Sequence, residues 1–195
     1  EDDLILTIDD KDGDVNVQSG GTVDVQDITA QDGDIVISAD DVVTLNGKIR
    51  TNDGDVTLSS SEDIILYNNI VIAGTGNIEL TATKGKIVNE TNDENTTSAI
   101  DTNIKVISDL ETAKYTPESI ASAEAELKDT GIILSSSTGH VILKAYNQIG
   151  TNTTVDGTII IDALSMSAIS DNKNDVSVTA LKEISIKQIK GDSGD

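Results

Sequence analysis

Residues 31–58 read QDGDIVISADDVVTLNGKIRTNDGDVTL and contain the tripeptide Asp-Gly-Asp twice, each time followed by a β-branched residue. The tripeptide marks a repeat. Gly13, Gly33, Gly54 and Gly76 each stand in the context [DT]-G-[DN]-[VI], at spacings of 20, 21 and 22 residues. Two residues after each glycine come Val15, Ile35, Val56 and Ile78, and four after come Val17, Ile37, Leu58 and Leu80. Later in the repeat, Val23, Val43 and Ile65 are read as equivalents, followed by Val25, Leu45 and Tyr67. Ile28, Ile49 and Val71 stand five residues before the next glycine. The residues between are mostly Asp, Asn, Thr, Ser, Gln, Lys and Arg, so each run alternates with period two and is punctuated by Gly, Asn or Asp.

A period near 20 residues with three short alternating runs admits few folds. Hairpins would need a turn dipeptide between every pair of runs, yet here the matching residues lie a full repeat apart. Each run therefore stacks on its equivalent in the next repeat. The expected fold is all-β, a right-handed parallel β-helix of about 20–22 residues per coil, with three strands per coil and a turn at each corner. Right-handedness is the rule for parallel crossovers.

Composition supports strands and narrows the function classes. The 195 residues include 35 acidic and 13 basic side chains, no Cys, no Phe, no Trp and three Tyr. The core must be aliphatic, and Val and Ile favour pleated surfaces. A formal charge of −22 argues against nucleic acid and anionic membranes as partners, because both need clustered Lys and Arg. No apolar run approaches the roughly 20 residues of a membrane span, so no direct membrane insertion is expected. The absence of cysteine excludes disulfides and thiolate chemistry.

The rhythm assigns residues 1–88 to β-helix coils and breaks over 89–130. There NETNDENTTS reads as a polar loop, DTNIKVISDLETA as a further strand, and 117–129 as a short helix. That helix has Thr116 as N-cap, Pro117 at its first position and Ile120, Ala123 and Leu127 on one face. Coils are expected to continue over 131–195: Val141 and Leu143 follow Gly139, and Ile159 and Ile161 follow Gly157. Val176, Val178, Ile184, Ile186 and Ile189 extend the pattern. KGDSGD resembles the opening of another coil and EDDLILTIDD the close of an earlier one, so the chain is read as a segment of a longer array.

The unit G-[DN]-[VI]-x-[LIV], followed by a second V-x-[LV] run, resembles the stalk repeats of filamentous-haemagglutinin-like adhesins, well over residues 12–88 and more loosely over 131–191. The resemblance implies a very large bacterial exoprotein, secreted or held at the cell surface, whose stalk is a right-handed β-helix. The secretion domain of that family carries Asn-Pro motifs. Here the one proline, Pro117, follows Thr116, so this stretch is not that domain. The expected role is a stiff acidic rod presenting adhesive regions. Its partners would be a receptor on a host or neighbouring cell, or a matrix glycan, met through other parts of the parent protein. End-to-end self-association is a further expected contact.

Three chemical readings compete with the rod. Asp12, Asp14, Asp32, Asp34, Asp53 and Asp55 would stack in ladders that a Ca2+ ion bridges, giving a divalent-cation-stabilised matrix module. Neither the EF-hand order nor the G-G-x-G-x-D nonapeptide is present, however. The competing account has Gly supplying positive φ at a corner while Asp and Asn cap the turn, and no cofactor is then required. A polysaccharide-active β-helix enzyme is the second reading. Cations are sparse, aromatic platforms are limited to Tyr67, Tyr115 and Tyr146, and His140 occupies the Asp/Asn place after a glycine, so no catalysis is expected. Third, regular Thr-x-Thr rows would suggest ice or mineral binding, but the hydroxyls of TLSSS, LTATK, ILSSS and TNTTV do not fall at one register and read as a solvated face. Asn89, Asn95 and Asn152 begin Asn-x-Thr sequons, which matter only in a glycosylating host.

Overall fold

Alternating aliphatic and polar residues form strands that bury every second side chain, and turns carrying Gly, Asn and Asp separate them. The computed structural model describes residues 4–10, 13–67, 70–90, 133–150, 159–172, 174–180 and 183–191. They form β1 (Leu4–Asp10), β2 (Val15–Ser19), β3 (Val23–Ala30), β4 (Ile35–Ala39), β5 (Val43–Leu45), β6 (Ile49–Arg50), β7 (Val56–Ser60), β8 (Ile64–Leu66), β9 (Ile70–Ile72), β10 (Ile78–Ala82), β11 (Ile87–Asn89), β12 (Ile133–Ser135), β13 (His140–Ala145), β14 (Ile159–Asp162), β15 (Ser165–Ser170), β16 (Val178–Ala180) and β17 (Ser185–Lys190). All pairings among them are parallel, and each strand pairs with its equivalent one lap away. The chain is a parallel β-helix.

The first face is a seven-stranded sheet in the order β2-β4-β7-β10-β13-β15-β17. The second stacks the start of β3, then β5, β8 and β11, and continues through single bridges at Ile149 and Val176. The third stacks the end of β3, then β6, β9, β12, β14 and β16. β1 lies along both halves of β3 and shifts register once, between Leu6 and Thr7.

The core is a set of aliphatic columns. Val15, Ile35, Val56, Ile78, Val141 and Met166 stack in register, beside Val17, Ile37, Leu58, Leu80, Leu143 and Ala168. Ile35, Ile37, Leu58, Ile78 and Leu80 are wholly buried. Deeply buried aliphatic side chains of this size each stabilise by roughly 1.5–3 kcal/mol relative to exposure.

Residues 91–130 and the expected helix at 117–129 lie outside the described residues. β11 itself runs through Asn89, one residue past the expected boundary of the first coils. What is seen is that β10 and β13 pair without a slip although equivalent residues are 63 apart in sequence, not 22. The ladder passes the interruption intact.

Three details of register differ from expectation. On the second face the residues over Val43 and Leu45 are Ile64 and Leu66, not Ile65 and Tyr67. The run IILY satisfies either register by hydropathy, but a one-residue slip exchanges faces. Burying Leu66 keeps the column aliphatic and leaves the Tyr67 hydroxyl able to reach Glu90. Next, Ile159 and Ile161 belong to the third face, over β12, not to the glycine-led first face. The first-face strand of that coil is SMSAIS, β15, whose small and polar residues hide its alternation. Lastly, Ser38, Ser59 and Thr81 do share one register, on the outer side of the first face. Their spacing drifts with coil length and so escapes a fixed-period reading.

Candidate functional site

The Asp-Gly-Asp corner joins the third face to the first, and its residues stack in columns along the axis. The glycine column is continuous. A Cβ built on Gly33 would stand 2.2 Å from the carbonyl oxygen of Gly13; on Gly54, 2.1 Å from that of Gly33; on Gly76, 2.0 Å from that of Gly54; on Gly139, 1.9 Å from that of Gly76. No side chain fits there. Positive φ is not the reason, because among the described residues only Gly74 and Gly150 adopt it. The expectation of left-handed glycines at this corner is therefore corrected: close approach of successive backbones selects glycine.

The acidic residue after each glycine ties neighbouring coils together. The Oδ1 of Asp14 accepts the backbone N–H of Asp34 at 3.0 Å, that of Asp34 accepts Asp55 N–H at 2.8 Å, and that of Asp55 accepts Asn77 N–H at 2.7 Å. The Oδ1 of Asn77 then accepts His140 N–H at 3.0 Å, and His140 Nδ1 meets Ser165 Oγ. His140 thus takes the column place after the glycine, but as the first residue of β13, paired with Ser165, and not as the turn residue expected. In the opposite direction Val15, Ile35 and Val56 donate their N–H to the carbonyls of Asp34, Asp55 and Asn77. One side chain per coil satisfies a main-chain donor that the corner would otherwise leave without a protein partner.

Of the six expected metal ligands, Asp12 lies outside the described residues. Asp14, Asp34 and Asp55 share the column just described. Asp32 and Asp53 fall in a parallel column, where Asp53 Oδ1 accepts the Thr75 hydroxyl at 3.0 Å. All five are solvent-exposed. Among the described residues, no three acidic or imidazole side chains gather closely enough to hold a metal ion. A Ca2+ ion takes six to eight oxygens, and here Asp14, Asp34, Asp53 and Asp55 each already use one oxygen on a protein donor.

Sequence reading missed two buried hydroxyls at the same corner. Thr51 Oγ1 donates to Gly33 O at 2.9 Å and accepts Gly54 N–H at 3.1 Å. Ser136 Oγ does the same between Gly76 O and Gly139 N–H, at 2.6 and 2.9 Å. The signal was available, since each stands three residues before a column glycine.

At the far side of the second face, the Tyr67 hydroxyl donates to Glu90 Oε2 at 3.0 Å, and Lys86 Nζ lies 3.7 Å from Glu90 Oε1. The hydrogen bond to Glu90, burial, and the negative charge of Glu90 together raise the pKa of Tyr67 above that of an ordinary phenol. Asn89 is buried at an inward position of β11, which withdraws its sequon from the folded surface. Asn95 and Asn152 lie outside the described residues.

A scan against protein-family models, a search of curated proteins and a search of solved structures each returned no match.

Proposed function

We propose that this chain is a length of stiff, acidic stalk from an extracellular or surface-anchored bacterial adhesin of the filamentous-haemagglutinin-like kind, and that its task is to hold adhesive regions of its parent protein away from the cell. One observation supports the reading above the rest: the first-face ladder stays in register past the interruption between Glu90 and Ile133. A chain whose use is mechanical needs that continuity, because a rod is only as stiff as its weakest joint. The resemblance of the glycine-led repeat to adhesin stalks points the same way.

Rigidity follows from the construction. Main-chain hydrogen bonds run along the axis on three faces, aliphatic columns fill the interior, and Asp or Asn side chains lock one corner between coils. Seven strands at about 4.8 Å per step make this stretch roughly 29 Å long. Exposed acidic corners repel other rods of the same kind and keep the assembly soluble.

The test is replacement within the parent protein. Exchanging this stretch for an unrelated β-helix of equal coil number should preserve cell adhesion, and deleting it should shorten the rod seen by electron microscopy. Loss of adhesion in the length-matched exchange, with export unchanged, contradicts a spacer role.

A further inference from the structure

The charge of −22 is not spread evenly. On the outer side of the first face, from β2 to β15, the only charged residues are Glu79 and Lys144, and they pair with each other at 2.6 Å. Over β2, β4 and β7 the outer residues are Asn16, Gln18, Val36, Ser38, Thr57 and Ser59, an uncharged strip made mostly of hydroxyls and amides, whereas Ile142 and Ile169 make the face partly aliphatic further along. Acids stand at both long borders of the strip over β2, β4 and β7: Asp14, Asp34 and Asp55 precede these strands, and Asp40, Asp41 and Glu62 follow them, Glu62 lying 3.9 Å from Lys84 beside β10. No Lys or Arg among the described residues pairs with the first of these borders.

We propose that this face is a docking surface for a linear amino-polysaccharide lying along the rod axis. The proposal stands independently of the stalk reading. Charge complementarity sets the sign of the partner: two acidic borders around an uncharged strip attract a polycation and repel nucleic acid and uronate or sulfate glycans. The borders are about six residues apart, roughly 20 Å, so a chain on the midline lies about 10 Å from each. That is close to the Debye length of ~8–10 Å at physiological ionic strength, so both borders act on it.

The strip's chemistry favours a sugar polymer over a basic peptide. The sheet's main-chain groups are used in its own ladders, so an extended peptide on this face would find no backbone partners for its N–H and C=O groups. Hydroxyls of a glycan meet Ser, Thr and Gln side chains directly. The strip runs over the three successive coils of β2, β4 and β7, which suits a polymer that offers the same groups again and gains through multivalency.

Isothermal titration of the intact chain with a glucosamine hexamer tests the proposal, with the N-acetylglucosamine hexamer, a neutral glucose hexamer and hexalysine as comparators. The glucosamine hexamer should bind at least about tenfold tighter than either neutral sugar, a difference of ~1.4 kcal/mol. It should weaken as salt rises from about 50 to 500 mM. Thr57→Lys with Ser59→Lys, placed at the centre of the strip, should abolish binding, while Thr44→Lys on the second face should leave it unchanged. Melting curves establish that each variant is folded, and if the double variant unfolds, Ser38→Lys alone serves in its place. Equal binding of hexalysine and the amino sugar, weakened alike by lysines on either face, would be general attraction to an acidic protein and would overturn the proposal. So would tighter binding of hexalysine, or no binding of the amino sugar.

Discussion

At the scale of single residues, the Asp-Gly-Asp beat is explained by space and by main-chain donors. Gly54→Ala places a methyl 2.1 Å from a neighbouring carbonyl oxygen, so the coils must part. A loss of about 2–4 kcal/mol is expected in urea unfolding. Gly21→Ala is the control, because a Cβ there meets nothing within 4 Å, and it should be neutral or slightly stabilising. Asp55 accepts both the main-chain and side-chain N–H of Asn77. Asp55→Asn keeps an acceptor oxygen and should melt close to the parent, whereas Asp55→Ala removes it and should cost about 1 kcal/mol. Calcium enters this ladder only if the carboxylates are cross-linked by it. Equal melting temperatures are expected in millimolar Ca2+ and in chelator, and a rise of many degrees with Ca2+ would establish the cation-stabilised reading. Tyr67 gives the pH dependence. Its pKa is raised in the folded state, so its contribution is fully present below the ordinary phenol pKa of about 10 and is lost as pH climbs through the folded value. Absorbance titration should show one phenol ionising late, and Tyr67→Phe should remove that phase and flatten the stability loss above that pH.

At the scale of elements, strand identity was legible wherever an aliphatic residue alternated with a polar one, as in DIVISA and GDVTLSS. It was not legible where chemistry was ambiguous. IILY offers two acceptable registers, and only the wholly buried state of Ile64 and Leu66 selects one. Leu66→Ala should therefore cost about 2–5 kcal/mol and Ile65→Ala under about 1, and the opposite order in urea melts would reinstate the rejected register. SMSAIS was unreadable for a different reason. Its inward residues are Met166, Ala168 and Ser170, which carry little β-propensity, so stacking on Val141, Leu143 and Ala145 makes this segment a strand. The corner chemistry was half legible: Asp and Asn as turn-capping residues were foreseen, but the bonds from one coil to the next, the glycine stack and the hydroxyls of Thr51 and Ser136 need the axial neighbour to be known. A repeat in one dimension does not reveal which atoms meet in the second.

At the scale of the whole molecule, one assertion supports the rest: equivalent residues of successive laps lie directly above one another, whatever sequence distance separates them. The interruption between Glu90 and Ile133 is the severest case, since Thr81 and Lys144 are paired across it. Because the chain has no cysteine, spin labels can be placed two at a time without background. The deciding measurement is the distance from a label at Gln18 to labels at Thr81, Lys144 and Ile169 by double electron–electron resonance. The β-helix predicts about 14, 19 and 24 Å between backbones, a constant step of ~4.8 Å per coil that ignores the 63 residues between the first two sites. Distances that jump across the interruption, or that fail to increase in even steps, would contradict the stacked-coil architecture and with it the rod.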